Sequence, residues 1–151
     1  MNPSPLQLER HFFTKVHVDA HPDGDPAAKA ELQTHVEVAQ AERDPKRYQL
    51  TLHLKLVSAG DKKSRYTAEI HVVGVVRVAE GWPDPAVQQL VQVNGPALLY
   101  GAAREMLCNL TARGPWPMVC LHSVTFVEPK ALPQAPAAPQ PAAEAAASPK
   151  R

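Results

Sequence analysis

Long apolar runs, sulfur and a surplus of one charge are all scarce in this 151-residue chain, and each scarcity removes a class of function. No stretch reaches the roughly 18 apolar residues of a membrane span. The nearest, 96–112, is interrupted by Arg104, Glu105, Asn109 and Thr111, so no membrane insertion is expected. There are only two cysteines, Cys108 and Cys120, with no Cys-x-x-Cys and no matched histidine pair. That argues against zinc and reads as reduced thiols in apolar surroundings. Lys and Arg number 16 against 15 Asp and Glu, a formal +1, so no positive surplus is available for nucleic acid. The N-terminus, MNPSPLQLERHFF, lacks a basic stretch followed by an apolar one, so the expected location is cytoplasmic. Phosphate-loop, GxGxxG and GxSxG patterns are missing too. Gly60-Asp61-Lys62-Lys63-Ser64 has the residue types of a phosphate loop without its length or glycines. No catalytic residue, cofactor or metal is assigned, and the chain is not read as an enzyme.

What is abundant is alternation. Tyr48, Leu50, Leu52, Leu54 and Leu56 are separated by Gln49, Thr51, His53 and Lys55, the pattern of a strand with one wet face. Leu6, Leu8, Phe12, Val16 and Val18 alternate in the same way with polar residues. Further strands are expected at 32–41, with Val36 and Val38 inward, and at 66–79. Turns are expected at 42–46 and 59–63, and the longer link 20–31 allows a crossover. The expected fold is α+β: a four-stranded antiparallel, Greek-key-like sheet packed by a long helix in the C-terminal half. Residues 86–93 read as two helical turns, and Asn94-Gly95-Pro96 reads as the opening of the main helix, which Gly114 and two prolines end. Met118 to Val127 is a last extended apolar segment. The domain is assigned to 1–128. The Pro/Ala-rich tail 129–151, with 6 prolines and 9 alanines, is expected to be disordered.

The helix is apolar beyond one stripe. Leu98, Tyr100, Ala102 and Leu107 fall outside the line Leu99, Ala103, Met106 and Leu110, so a second cover is needed, and another subunit would supply it. Leu98, Leu99, Tyr100, Ala103, Arg104, Glu105 and Leu107 form the candidate interface; Arg104 and Glu105 either brace it or form a buried functional pair. Val73 and Val75 also break alternation, leaving apolar surface over. His53 and His71 fall on polar strand faces. They read as solvated sheet residues or, alternatively, as the centre of an enzyme.

Gly95-Pro96-Ala97-Leu98-Leu99-Tyr100-Gly101-Ala102-Ala103-Arg104-Glu105 resembles the helix signature of the SecB export chaperones, Pro-x-x-Leu-Phe/Tyr-Pro-x-Ala-Arg-Glu. Arg113-Gly114-Pro115-Trp116-Pro117 resembles the family's helix stop. Met118 to Phe126 is similar to its Leu-x-Leu-x-Pro-Val-Asn-Phe run, and Phe13-Thr14-Lys15 to the Tyr-Thr-Lys of its first strand. Gly101, Ser123 and Thr125 depart from the pattern, and after Phe126 no counterpart of the family's next helix is read. The resemblance implies an ATP-independent holdase, a homotetramer built as a dimer of dimers. It would bind unfolded preproteins in apolar grooves and pass them to the SecA translocase motor. Client contact falls on Phe13, Val73, Val75, Trp82, Trp116, Met118, Leu121 and Phe126, and SecA contact on Asp19 and Glu69. A related branch serves toxin–antitoxin systems. A structural adaptor that binds one folded partner is the alternative from another class.

Overall fold

The alternating segments become β1 (Leu6–Ala20), β2 (Lys29–Ala41), β3 (Asp44–Ala59) and β4 (Tyr66–Val78), followed by one helix, α1 (Asp84–Thr111). The computed structural model describes residues 2–127; the tail expected at 129–151 lies outside them. All pairings are antiparallel, in the order β1-β4-β3-β2. Hairpins join β2 to β3 and β3 to β4. The link 21–28 carries the chain from one sheet edge to the other, which makes the Greek key. β2 begins earlier than the alternation indicates. The β2–β3 turn is also tighter, because Ala41 already pairs with Asp44.

The helix covers one sheet face, above β1, β3 and β4. Leu50, Leu52, Leu54, Ile70, Val72, Val76 and Val78 point into that layer, and no more than 1% of any of them is exposed. Truncating one of these leucines to alanine costs about 2–5 kcal/mol.

Two expectations need correction. The first concerns β1, where register shifts between Leu8 and Arg10 and again between Phe13 and Lys15 break the simple alternation. Each such bulge inserts a residue and switches the face on which the next residues lie. Phe13 therefore pairs opposite Val72 and packs on the core, whereas Phe12 pairs opposite Val73 on the open face and is 45% exposed. The second concerns the helix, which does not open at Pro96. It runs unbroken from Asp84, with Pro96 buried inside it. Val87, Val91, Gly95, Leu99, Ala103, Leu107 and Thr111 are all buried, one every four residues, straight through the proline. The tertiary contact of that row outweighs the local penalty of an interior proline, about 3 kcal/mol. The carbonyl deprived of its amide partner belongs to exposed Gln92.

Four-residue spacing exceeds the helical period of 3.6, so the buried row winds around α1 as the helix crosses the twisted sheet. That winding accounts for the helix having no single polar face. Two reciprocal fits set its height. A side chain on Gly95 would come within 2.5 Å of Leu50 Cδ2, and one on Gly74 would collide with Leu99. Leu50 thus fills the gap at Gly95, while one turn on, Leu99 fills the gap at Gly74.

Beyond Thr111 the chain folds back along α1 without regular structure. Side chains hold it there. The Tyr66 hydroxyl accepts the Trp116 amide at 3.0 Å and donates to the Trp116 carbonyl at 3.0 Å. Thr111 Oγ1 accepts the Val119 amide at 3.0 Å, and Tyr100 donates to the His122 carbonyl at 2.6 Å. Leu121 drops into the core. Much of the second cover that the sequence assigns to another subunit is therefore this returning segment.

Candidate functional site

Because α1 makes little contact with β2, that strand's helix-side residues are only partly covered, Leu32 and Val36 packing at the edge of the core. Val38 is 40% exposed there. Val38, Gln40, Tyr48, Asp84, Val87, Gln88, Val91 and Gln92 enclose a cleft of about 340 Å³ between β2–β3 and α1. On the opposite flank of the same half-helix, Pro85, Gln88, Gln89, Gln92, Val93, Phe126 and Val127 line a shallow cleft of about 650 Å³. Trp82, Ala86 and Leu90 extend this second cleft through a neighbouring hollow that shares Gln89, Val93 and Val127. The two flanks meet at Gln88 and Gln92, so an uncharged polar ridge separates two troughs of mixed polar and apolar lining. Farther along, Leu98, Leu110, Met118 and Val124 are exposed. Such surface binds by covering apolar area and imposes little side-chain preference.

The sequence candidates for client contact do not converge on one place. Met118 is 55% exposed, and Trp82 and Phe126 border the second trough. Leu121 is buried in the core and Phe13 packs against it. Trp116 is half-buried as a structural pin: its indole N–H donates to the His21 carbonyl at 3.1 Å and Arg65 stacks over its ring at 4.7 Å. Val73 and Val75 lie on the sheet face opposite the helix with Phe12, but Val73 is buried there and Val75 half-buried. Val38, Val87, Leu90, Val91 and Val93 are trough residues that the sequence does not single out for client contact. The signal that could have found them is that β2 has inward valines and yet, as the strand after the crossover, can lie beyond the reach of a single helix.

Among the interface candidates, Leu99, Tyr100, Ala103 and Leu107 are buried within the protomer, whereas Leu98 and Glu105 are exposed. Arg104 is half-buried and donates to Cys120 Sγ at 3.5 Å.

Apart from Phe12, Val73 and Val75, the open sheet face is largely polar. Asp19 and Glu69 lie on adjacent strands, with Glu69 opposite His17 and Asp19 opposite Thr67. Lys15 Nζ is 2.8 Å from Glu69, and His71 is 3.0 Å from it. The Lys15 ammonium in particular holds the Glu69 carboxyl below the usual range. Asp19 bonds His17 Nε2 at 2.8 Å. His53 and His71 are direct cross-strand partners with ring centroids 4.1 Å apart, and His35 extends the row at 5.9 Å. Among the described residues, no three His, Cys, Asp or Glu side chains converge as a metal site would need. No helix among the described residues is long and apolar enough to cross a membrane.

Comparison with known proteins agrees with the fold and adds a lineage. The family model for the preprotein translocase subunit SecB matches residues 15–130. The protein-export protein SecB of Paramagnetospirillum magneticum is 28% identical over 98 residues, which are 65% of this chain and 62% of that protein. The protein-export protein SecB of Granulibacter bethesdensis is 30% identical over 105 residues, 66% of this chain and 61% of its own. The chain thus spans less than two thirds of the length of these relatives. A SecB-like chaperone of Mycobacterium tuberculosis, solved in complex with a ChAD peptide from an antitoxin, shares the fold. Its TM-score is 0.63 at 14% identity, covering 80% of this chain and 91% of that one. With the sheet order, the long helix and the family match in agreement, this chain belongs to the SecB family.

Proposed function

We propose that the protein is an ATP-independent holdase that binds unfolded preproteins and keeps them competent for export, acting in the cytoplasm. The observation that carries this reading is the exposed apolar side chains Val38, Leu98, Leu110, Met118 and Val124 beside two clefts of mixed lining that flank the N-terminal half of α1. Each ~100 Å² of apolar surface that a client covers gains about 2.5 kcal/mol before ordering costs. No nucleotide is needed for such holding. Trp82, Phe126 and Met118 contribute from the sequence candidates, with Val38 and Val93 added. Asp19 and Glu69, on the open face away from the troughs, remain the candidates for SecA, so that client and motor engage opposite sides of the sheet. A homotetramer, a dimer of dimers, would use the exposed helix side at Leu98 and Glu105.

The test is suppression of aggregation of a chemically unfolded protein in the absence of nucleotide. Suppression by the full chain, weakened several-fold in Val38→Asp and Val93→Asp variants that still fold, supports the reading. No suppression at several-fold excess over client ends it. Capture of SecA by the wild type but not by an Asp19→Asn/Glu69→Gln double variant tests the hand-over separately. The second reading, a chaperone dedicated to an antitoxin, rests on the fold shared with the mycobacterial chaperone and its antitoxin peptide. It requires one preferred client, whereas a general holdase protects several unrelated ones.

A further inference from the structure

The returning C-terminal segment brings the chain's two thiols together. Cys108 is half-buried on α1, Cys120 is exposed on the segment, and both are free. Cys108 Sγ donates to the Val119 carbonyl at 3.3 Å. Arg104 Nη2, one helical turn before Cys108, donates to Cys120 Sγ at 3.5 Å. Cys120 thus directly follows the residue whose carbonyl takes the Cys108 thiol, and its own sulfur takes the guanidinium one turn before Cys108. Bonds that involve no sulfur fix the approach from both sides: Val119 amide to Thr111 Oγ1, and Tyr100 hydroxyl to the His122 carbonyl. The proximity therefore comes from how the segment is pinned and does not depend on one rotamer.

The two thiols are not equivalent. The Arg104 guanidinium, and after it the Cys108 thiol, hold Cys120 below the usual thiol range and favour its thiolate. Burial, and after it the Cys120 sulfur, push Cys108 up, so it keeps its proton. An exposed, cation-stabilised sulfur against a shielded, protonated one matches the division between an attacking and a resolving thiol.

We propose that Cys108 and Cys120 form a reversible oxidation site whose oxidant is hydrogen peroxide and whose product is an intrachain Cys108–Cys120 disulfide. The Cys120 thiolate attacks one peroxide oxygen; the O–O bond breaks, hydroxide leaves, and Cys120 becomes a sulfenic acid. The Cys108 sulfur then attacks the sulfenic sulfur. The S–S bond forms, the S–O bond breaks, and the hydroxyl departs as water with the Cys108 proton. Two thiols lose two electrons, and one peroxide becomes two waters. The product staples the returning segment to α1 two residues from exposed Met118, and it forms whether or not that surface binds clients.

The experiment treats the full chain with a small excess of peroxide, then alkylates under denaturing conditions and maps the peptides. The expected result is joint loss of both thiols, a chain lighter by two hydrogens, and a cross-linked peptide joining positions 108 and 120. Dithiothreitol should reverse it. Cys108→Ser should stop at oxyacids of Cys120, and Cys120→Ser should lose most of its peroxide reactivity. In the native protein, Arg104→Gln should slow alkylation of Cys120 near neutral pH by roughly several-fold, while Arg104→Lys retains most of the rate. Oxidation confined to Cys120 with Cys108 still free, a bond between two chains, or an Arg104→Gln rate equal to wild type would overturn the proposal.

Discussion

Phe12 and Phe13 adjoin in the chain and have opposite environments. Phe13→Ala removes a ring packed on the core and should cost about 2–4 kcal/mol. Phe12→Ala trims a ring on the open face and should stay within about 0.5 kcal/mol. Urea unfolding of the two variants checks the bulge beside them, since unbroken alternation would give the reverse order. Tyr66→Phe leaves the Trp116 amide without its acceptor and should cost about 1–3 kcal/mol, while unpinning the returning segment toward faster local hydrogen exchange. The charges make a pH prediction. Glu9 lies between Arg47 at 2.9 Å and Arg77 at 3.0 Å. Its carboxyl is held low chiefly by Arg47, as that of Glu69 is by Lys15. A group whose folded value is depressed binds its proton more weakly in the folded state. Its contribution is present above the ordinary glutamate value of 4.5 and is lost as the pH falls through the lower folded value. Urea midpoints should therefore decline below about pH 4.5. The decline should be shallower in a Glu9→Gln/Glu69→Gln variant.

For α1 and the sheet, the two interlocking gaps decide the fit. Gly74→Ala puts a methyl group where Leu99 sits and should destabilise by about 1–3 kcal/mol, although alanine is the better residue for a strand by entropy. Adding Leu99→Ala should recover part of that loss, so the two substitutions should be non-additive by about 0.5–3 kcal/mol in a denaturation cycle. Full additivity would mean the two positions do not share one contact. The continuous helix has the same origin. Residues 86–93 and the helix from Asn94-Gly95-Pro96 to Gly114 read as separate pieces because Gly95-Pro96 carries a strong local start signal, yet the buried row crosses it without a break.

In the whole molecule, the surplus of apolar surface divides into three parts. The returning segment covers one part, the troughs leave a second open, and the helix side around Leu98 is the third, 42% exposed. If that third part is the seam between copies, wild type should sediment near four times the 16.4 kDa chain mass, and Leu98→Glu should lower that mass with the secondary structure intact. A wild type that sediments as one chain at micromolar concentration would reject the seam.

Local pattern was enough to place the four strands, their antiparallel arrangement around a long crossover, and a helix before the proline-rich stop. Period-two alternation and turn residues act within a few positions of one another, so they can be read from neighbours in the chain. The motif at 95–105 and the run to Phe126 also carried the family. Folding in three dimensions set the rest: which way Phe12 and Phe13 point, that α1 passes through Pro96, that Leu121 is core and Val38 is not, and that Cys108 meets Cys120. Each of these depends on where a helix lies across a twisted sheet and how far a single helix reaches. That is settled by contacts between residues tens of positions apart, and no local pattern records it.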